Sequence, residues 1–430
     1  MSSTDTIFLQ PRPYARLAGM LLVVPLLPGP KPLKPLPAEL WAEIFTHALE
    51  DGSSAVTQRT STVGDVCKSF HEIMQPLLYN SVVFTRLQQF EKFFKRLHNA
   101  DQKWDSIRRI PFSTPGRWVQ NVDLSDLPFE GQAQAMHLDG MLSQLFQLTP
   151  FLSSFMINPA FLLSKRALAS LAQRESSSNI RRLVGLSYLP PPTSAADEDP
   201  FVQLLRSCPN IEEFIIVGQG LDPTELEFNF SGSMDLPSLI AFKPLDLPKL
   251  RLISILSMHS SPLMQALLNS PLPSLRKLEL TPYDDIPYPA SLSTEFIIAH
   301  GKSLHSLQLL TPKSWPTRLR PSPERLLEYC PNLNHLSLET PLPDLRLTDA
   351  HQLRILSIAR PTPDFWRVLE ERLPFLPNLA VVRTRDVRWL RKGISSMAQG
   401  AGVQGEMREW KRRLERRNIQ LLDTDWRRCE

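Results

Sequence analysis

The feature that most constrains the fold is a short apolar pattern that recurs along most of the 430-residue chain. Each copy has an apolar residue, two variable residues, another apolar residue, one variable residue and a third apolar residue, as in Leu333-x-x-Leu336-x-Leu338. The last three positions alternate, which predicts a β-strand with one buried face. Full or partial copies begin at Val119, Leu152, Ile180, Ile211, Leu250, Leu275, Leu304, Leu333, Leu353 and Leu379.

A helix signal precedes four of these strands. A residue that can cap a helix stands directly before proline, and an apolar segment and a further proline follow. Ser, Thr and Asp accept hydrogen bonds from the first helical N–H groups, and proline fits the first helical position because an N–H there would have no partner. The four starts are Asp199-Pro200, Ser261-Pro262, Ser322-Pro323 and Thr362-Pro363. Strands that alternate with helices predict parallel strands in one layer and helices in another.

The last six copies of the strand pattern begin 20 to 29 residues apart, a spacing that resembles that of leucine-rich repeats. The resemblance implies an α/β solenoid with parallel strands, in which the variable strand positions lie on an extended concave surface. The asparagine that regular leucine-rich repeats carry after the third leucine is absent, and residues such as Tyr283 replace it. Insertions at 187–199 and 219–237 widen the earlier spacings. The repeats are therefore degenerate, and their number and curvature stay open.

The stretch from Leu36 to Phe84 differs in character from the repeats. Pro37 suits the first turn of a helix, and Leu40 and Ile44 follow at helical spacing on a wide apolar face. A second apolar stripe over residues 63–70 predicts another short helix. Because so short a unit buries only a small core by itself, we expect it to need a partner surface.

This stretch resembles an F-box, the module that docks onto the Skp-type adaptor of cullin–RING ubiquitin ligases. Leu36-Pro37-x-Glu39-Leu40-x-x-x-Ile44-Phe45 matches the family's first signature, and Val66-Cys67-Lys68-Ser69-Phe70 matches its second. The likeness is to fungal, basidiomycete-type F-box families followed by degenerate repeats. It implies adaptor contacts at Leu36, Pro37, Leu40, Ile44, Phe45, Val66 and Cys67. The loop from Glu50 to Thr62 is longer than usual in the family, and a helical subdomain without a partner is the alternative interpretation.

Four segments follow from these patterns. Residues 1–35 are predicted to be disordered or extended, residues 36–84 to form the F-box-like module, residues 85–390 the solenoid, and residues 391–430 a terminal capping helix and strand. The apolar run Leu17–Leu27 is too short to span a bilayer, which takes about 20 residues. Pro25 interrupts this run and no small-residue cleavage site follows it, which argues against a signal peptide.

The predicted terminal helix covers Glu406–Arg417. Asn418 follows it, and asparagine accepts the left-handed conformation that often ends a helix. The arginines of this helix, among them Arg412 and Arg416, indicate either a solvated face balanced by glutamates or a patch for nuclear localisation or anion binding. The solvated face is the favoured interpretation.

Composition argues against several classes of function. The formal net charge of +4 is too small to indicate nucleic-acid binding. The four cysteines lie far apart without a CxxC pair, which favours reduced thiols and a cytoplasmic or nuclear location over a zinc site or a disulfide framework. HExxH, GxxxxGK[ST] and GxSxG motifs are missing from the sequence. We therefore expect no cofactor, no metal, no membrane contact and no catalytic residues.

Together these patterns predict a two-part adaptor that binds a Skp-type protein through the F-box-like module and an unknown protein substrate through the solenoid. The candidate substrate contacts are the variable strand residues Glu213, Lys277, Glu279, Gln308, His335, Ser337 and Ser357. Their mixed charge indicates no class of substrate. Two alternatives stay open: a repeat scaffold that acts outside a ubiquitin ligase, and an enzyme whose site is assembled from dispersed residues.

Overall fold

A computed structural model describes residues 36–50, 66–103, 115–190, 196–220, 242–258, 261–281, 292–310, 323, 325–339, 345–389 and 402–428. The predicted N-terminal segment 1–35, with its apolar run Leu17–Leu27, lies outside the described residues. The stretch predicted as a long loop, Glu50 to Thr62, lies outside them from residue 51 onward, and so does most of the insertion at 219–237. The chain divides into two compact units, Met1–Leu77 and Leu78–Glu430.

Two helices are described in the first unit. Helix α1 is Ala38–Glu50, and helix α2, Lys68–Asn80, begins in this unit and ends in the next. Pro37 precedes α1 directly, and its carbonyl accepts the first helical hydrogen bond, as expected for the first turn. Helix α2 starts later than the sequence predicted. Val66 and Cys67 precede it, because the Cys67 carbonyl already accepts the first hydrogen bond of the helix.

In the second unit, the described residues form one sheet of twelve parallel strands, whose order in the sheet is their order in the chain. The strands are β1 Ser81–Val83, β2 Asn121–Leu124, β3 Ser154–Ile157, β4 Arg182–Tyr188, β5 Glu213–Gly218, β6 Leu252–Leu256, β7 Lys277–Leu280, β8 Ser306–Leu309, β9 His335–Leu338, β10 Ile355–Ile358, β11 Val381–Thr384 and β12 Gln420–Leu422. Every predicted strand pattern is found as a strand. The predicted fold class, an α/β solenoid with parallel strands, is therefore confirmed.

Helices lie between most of the successive strands. They are α3 Leu87–Gln102, α4 Gly131–Leu148, α5 Lys165–Ala172, α6 Pro200–Ser207, α7 Pro262–Leu268, α8 Ser293–His300, α9 Leu326–Tyr329, α10 Pro363–Arg372 and α11 Gly402–Glu415. Within the described segments, no helix is both long and apolar enough to cross a membrane.

Three of the four predicted helix starts have the expected cap. The side chains of Asp199, Ser261 and Thr362 each accept a backbone N–H from the first turn of α6, α7 and α10. The fourth predicted start, Ser322-Pro323, is described only in part. Ser322 lies outside the described residues, and α9 has only four residues and starts at Leu326, without a side-chain cap.

The second apolar residue of each repeat forms a continuous buried row. Leu278 pairs with Leu307, and Leu307 with Leu336, so equivalent side chains stand side by side on adjacent strands about 4.8 Å apart. All three are fully buried, and the apolar residues of the helices belong to the same buried cluster. The core therefore lies between the sheet and the helix layer. Exposure alternates with burial along β7 and β8, whereas in β9 the third position is buried too.

In four of the turns before the strands, a polar side chain ties the repeat to the preceding one. These side chains donate to backbone carbonyls that the strand ladder leaves without a partner. The bonds run from Asn210 to Ser178 (2.9 Å), from Ser274 to Pro248 (2.5 Å), from Asn332 to Lys302 (2.8 Å) and from Gln352 to Pro331 (2.8 Å). Turn chemistry thus links successive repeats although the regular asparagine of leucine-rich repeats is missing.

Strand β4 contains an irregularity that only glycine accommodates. Gly185 has a φ of +76°, and a Cβ built on it would lie 2.0 Å from the Ile157 carbonyl oxygen. The register between β4 and β5 shifts around it. Beyond this bulge the Tyr188 hydroxyl donates to the Asp199 carboxylate (2.7 Å), and burial raises the pKa of both groups. The buried acid is therefore used to cap α6.

Helix α11 and strand β12 lie at the C-terminal end of the sheet. The helix runs from Gly402 to Glu415, whereas the sequence placed it at Glu406–Arg417. Trp410 of α11 packs on Phe365 and Trp366 of α10, with ring centroids 6.0 and 5.1 Å apart. Asn418 has a φ of +59°, which confirms the predicted left-handed residue after the helix.

We expect Leu336→Ala to lower the free energy of unfolding by about 2–5 kcal/mol, because a fully buried leucine leaves lost transfer energy and a cavity. Leu162→Ala is the matched control, since Leu162 is exposed in the same unit and its truncation should cost at most about 0.5 kcal/mol. Urea denaturation of both variants measures the difference. Equal losses would contradict the stacked core.

Candidate functional site

An aromatic cluster joins the two helices of the first unit. The ring of Trp41 lies 5.6 Å from that of Phe45 and 4.6 Å from that of Phe70, and Phe45 and Phe70 are 5.2 Å apart. Phe45 is consequently only 6% exposed. The sequence analysis grouped Phe45 with the adaptor contacts, whereas the structure places it inside this cluster. Its side chain packs α1 against α2 and leaves little surface for a partner.

An apolar stripe remains exposed on α1 and on Leu36, two residues before the helix. We use this name for Leu36, Leu40 and Ile44, which are four residues apart and are 44%, 45% and 45% exposed. This spacing places them on one side of the helix. Val66 is 67% exposed, and Pro37 and Cys67 are exposed too. Clustered apolar side chains that water reaches are typical of protein–protein contact sites.

The predicted substrate contacts lie on the open face of the sheet, by which we mean the first and third positions of the strands, away from the buried row. The register aligns Lys277 with His335 through Ser306, and Glu279 with Ser337 through Gln308. Ser357 pairs directly with Ser337. Strands β7 to β10 thus bring six of the seven residues together. Glu213, on β5, is separated from them by β6.

His335 lies at the centre of this group. Its Nδ1 is 3.2 Å from the Ser306 hydroxyl and its Nε2 is 2.9 Å from the Ser357 hydroxyl. Burial, aided by the charges of Arg383, Lys277 and Arg385, lowers the pKa of His335 to about 4. The ring is therefore neutral at pH 7 and connects three strands by hydrogen bonds.

Two of the predicted contacts are covered. Ser337 and Ser357 are each 1% exposed, although both stand at positions that the alternation assigns to the open face. The Ser337 hydroxyl has no hydrogen-bond partner among the described residues. Longer side chains around them therefore form the surface that a partner would meet here.

Sequence reasoning missed two arginines on the same face. Arg383 follows the buried Val382 of β11, donates to the Thr424 carbonyl (2.7 Å) and stacks on the Trp426 ring at 4.4 Å. Arg385 donates to the Leu338 carbonyl across the sheet (3.2 Å). The strand pattern that starts at Leu379 would have found Arg383, since it occupies the variable position after the second apolar residue.

Charges on the open face are largely balanced by neighbours. Arg182 pairs with Glu213 at 2.7 Å, and Lys277 pairs with Glu279 at 2.8 Å. Such partly exposed pairs contribute at most about 1 kcal/mol each to stability. On α11, Arg412 also pairs with Glu409 (3.1 Å), in keeping with the solvated face that the sequence favoured.

Reactive chemistry has little support in the described residues. Cys208 and Cys330 are buried, and burial raises the pKa of each thiol to about 12, so neither is a nucleophile at neutral pH. Cys67 is exposed and free. The described part of the chain contains no group of three or more His, Cys, Asp or Glu side chains that could hold a metal ion.

Comparisons with known proteins give little further information. No protein-family model matches the chain, and no curated protein matches it in sequence. One similar solved chain comes from the crystal structure of the Rad7 and Elc1 complex in yeast, with 13% identity and a TM-score of 0.34 over 83% of this chain and 90% of that chain.

The depressed pKa of His335 predicts a pH dependence of stability. Its native pKa of about 4 lies below the ordinary value near 6.5, so the unfolded chain takes up a proton first as the pH falls. Stability should therefore decrease between about pH 6.5 and pH 4. In His335→Gln, the loss from pH 7 to pH 5 should be smaller by about 1 kcal/mol.

Urea denaturation of both proteins at the two pH values measures this effect. His300 and His351, whose pKa values are also lowered by burial, are present in both proteins and cancel in the comparison. An identical loss of stability in wild type and variant would contradict the lowered pKa of His335 as a cause of the pH dependence.

Proposed function

We propose that the chain is a substrate-recognition adaptor of a cullin–RING ubiquitin ligase. The helices α1 and α2, which we call the helical unit, dock as an F-box on a Skp-type adaptor. The open face of the sheet binds the protein to be ubiquitinated. The observation that carries this proposal is the apolar stripe, because it lies exposed on the helix whose sequence resembles the opening signature of the F-box family.

The apolar stripe is large enough to anchor an interface. Full burial of a leucine or isoleucine side chain contributes roughly 1.5–3 kcal/mol, and each stripe residue still exposes just under half of its surface. Covering all three would therefore contribute roughly 3 kcal/mol, which is on the order of a hundredfold in affinity. Val66, more exposed than any of them, would add to this area.

The aromatic cluster gives the stripe a fixed geometry. With Phe45 and Trp41 packed on Phe70, the face of α1 next to the stripe is held in place before any partner arrives. A preformed surface avoids part of the ordering cost of binding. Phe45 thus supports the interface from within, which refines the role that the family resemblance implied.

The open face supports recognition of a polar protein surface. His335 is neutral and hydrogen-bonded, and the charged side chains near it are mostly paired. A repeat scaffold outside a ubiquitin ligase would use the same face. Adaptor binding is therefore the property that separates the two functions.

We expect the double variant Leu40→Lys, Ile44→Lys to lose binding to a Skp-type adaptor, because two charges would be buried in an apolar contact. The measurement is recovery of the chain on a tagged adaptor after co-expression. Met136→Lys, Leu162→Lys is the control, since it adds the same charges at exposed apolar positions of the second unit.

The control variant should be recovered like wild type. Recovery of both variants at the wild-type level, or no recovery of wild type at all, would contradict F-box docking and favour the scaffold function.

A further inference from the structure

The residues directly before the strands form a row that runs across the sheet at the N-terminal ends of the strands. From β6 to β10 this leading row consists of Arg251, Arg276, His305, Asn334 and Arg354. Each of the last four donates its backbone N–H to the carbonyl of the preceding member, at 2.8–2.9 Å. Neighbours in the row are therefore about 4.8 Å apart, and the row spans roughly 19 Å.

The leading row is strongly cationic. Its three arginines are exposed, and the same turns carry two more exposed cations, Lys249 and Lys302. Arg276 contacts the ring of His305, with its Nη1 3.2 Å from Nε2. Among the described residues, the other four cations make no ion pair: Lys249, Arg251, Lys302 and Arg354.

At the N-terminal ends of the two preceding strands, β4 and β5, the charges are balanced, which provides an internal comparison. Arg181 holds the leading position of β4, and Glu212 holds that of β5 beside it, at 3.8 Å. Next to them, Arg182 pairs with Glu213. Unpaired positive charge is therefore a local property of the row from β6 to β10. Arg251 and Arg276 are neighbours in the row and repel each other at this spacing, and an anionic partner would relieve that repulsion.

The geometry of the row indicates what kind of anion fits. Recognition of one phosphate group uses several donors that converge on one point, whereas these arginines stand in a line. Binding of single-stranded nucleic acid uses aromatic platforms for the bases, and the turns at 248–252, 273–277, 301–306, 331–335 and 351–355 contain no Phe, Tyr or Trp. An extended peptide chain with separate negative charges along its length matches the line of arginines best.

We propose that the leading row from β6 to β10 binds a carboxylate-rich peptide segment of the protein partner. An extended peptide advances about 3.3 Å per residue, so about six residues with several Asp or Glu side chains would cover the row. The inference rests on the proposed function in one respect, that the repeat sheet is the part of the chain that recognises a partner.

The test uses the full-length chain and a fluorescein-labelled peptide of alternating glutamate and glycine, followed by fluorescence anisotropy. The variant Arg251→Gln, Arg276→Gln, Arg354→Gln should weaken binding by on the order of tenfold, because three charge contacts are lost. The matched control is Lys92→Gln, Lys95→Gln, Lys103→Gln. It removes the same charge from exposed positions on and just after α3 and should change binding by less than about twofold.

Equal weakening in the two variants would overturn the proposal, because binding would then follow net charge alone. Two further probes test the choice of partner: a peptide whose only charged side chain is one phosphoserine, and a labelled oligothymidine. Binding of either one as tight as that of the glutamate peptide would overturn the choice of a carboxylate-rich peptide. An unchanged melting temperature of the arginine variant excludes unfolding as the cause of a loss.

Failure of this inference is distinguishable from failure of the proposed function. The arginine variant should still be recovered on the Skp-type adaptor, and Leu40→Lys, Ile44→Lys should still bind the glutamate peptide. Adaptor recovery without peptide binding overturns the peptide site alone. Peptide binding without adaptor recovery supports the peptide site and overturns the F-box.

Discussion

The hydrogen-bond ladder between successive parallel strands is the interaction on which the second unit depends. Its strands are short, from three residues in β1 to seven in β4, and strands of this length are not stable alone. Each strand is held because the next one pairs with it and buries the neighbouring apolar side chain. At the far end, Leu422 forms an antiparallel bridge with Arg428, so the chain's own C-terminal residues pair with part of the last strand.

The ladder also decides which side chains become neighbours on the surface. Arg251, Arg276 and Arg354 are far apart in the chain, and each would be an unremarkable exposed arginine on its own. Backbone pairing places the residue before each strand at one level, about 4.8 Å from the next. On the proposed function, recognition by such a sheet would therefore use rows of side chains that cross the strands. The same positions are neutral where Glu212 stands beside Arg181 and cationic where no carboxylate follows.

The buried row could be predicted from the sequence because the burial of residues such as Leu336 follows from local alternation. Ser337 and Ser357 obey the same alternation, yet they are covered. His335 bonds Ser357 from the adjacent strand, and Arg385, in the turn after β11, reaches across β10 to the Leu338 carbonyl of β9. The burial of Phe45 likewise depends on Phe70, which belongs to a separate helix further along the chain. Contacts of this kind join distant segments, and a single repeat holds no information about them.

The two proposed surfaces differ in the force that they use. The apolar stripe would bind through removal of apolar area from water, which moderate salt scarcely affects. The leading row would bind through exposed charges, and these are screened beyond about 8 Å at physiological ionic strength. Exposed charge pairs mainly raise the rate of encounter, whereas buried apolar anchors slow dissociation. On the proposed function, the helical unit would thus stay bound to its adaptor while partners are captured quickly and released at the sheet edge.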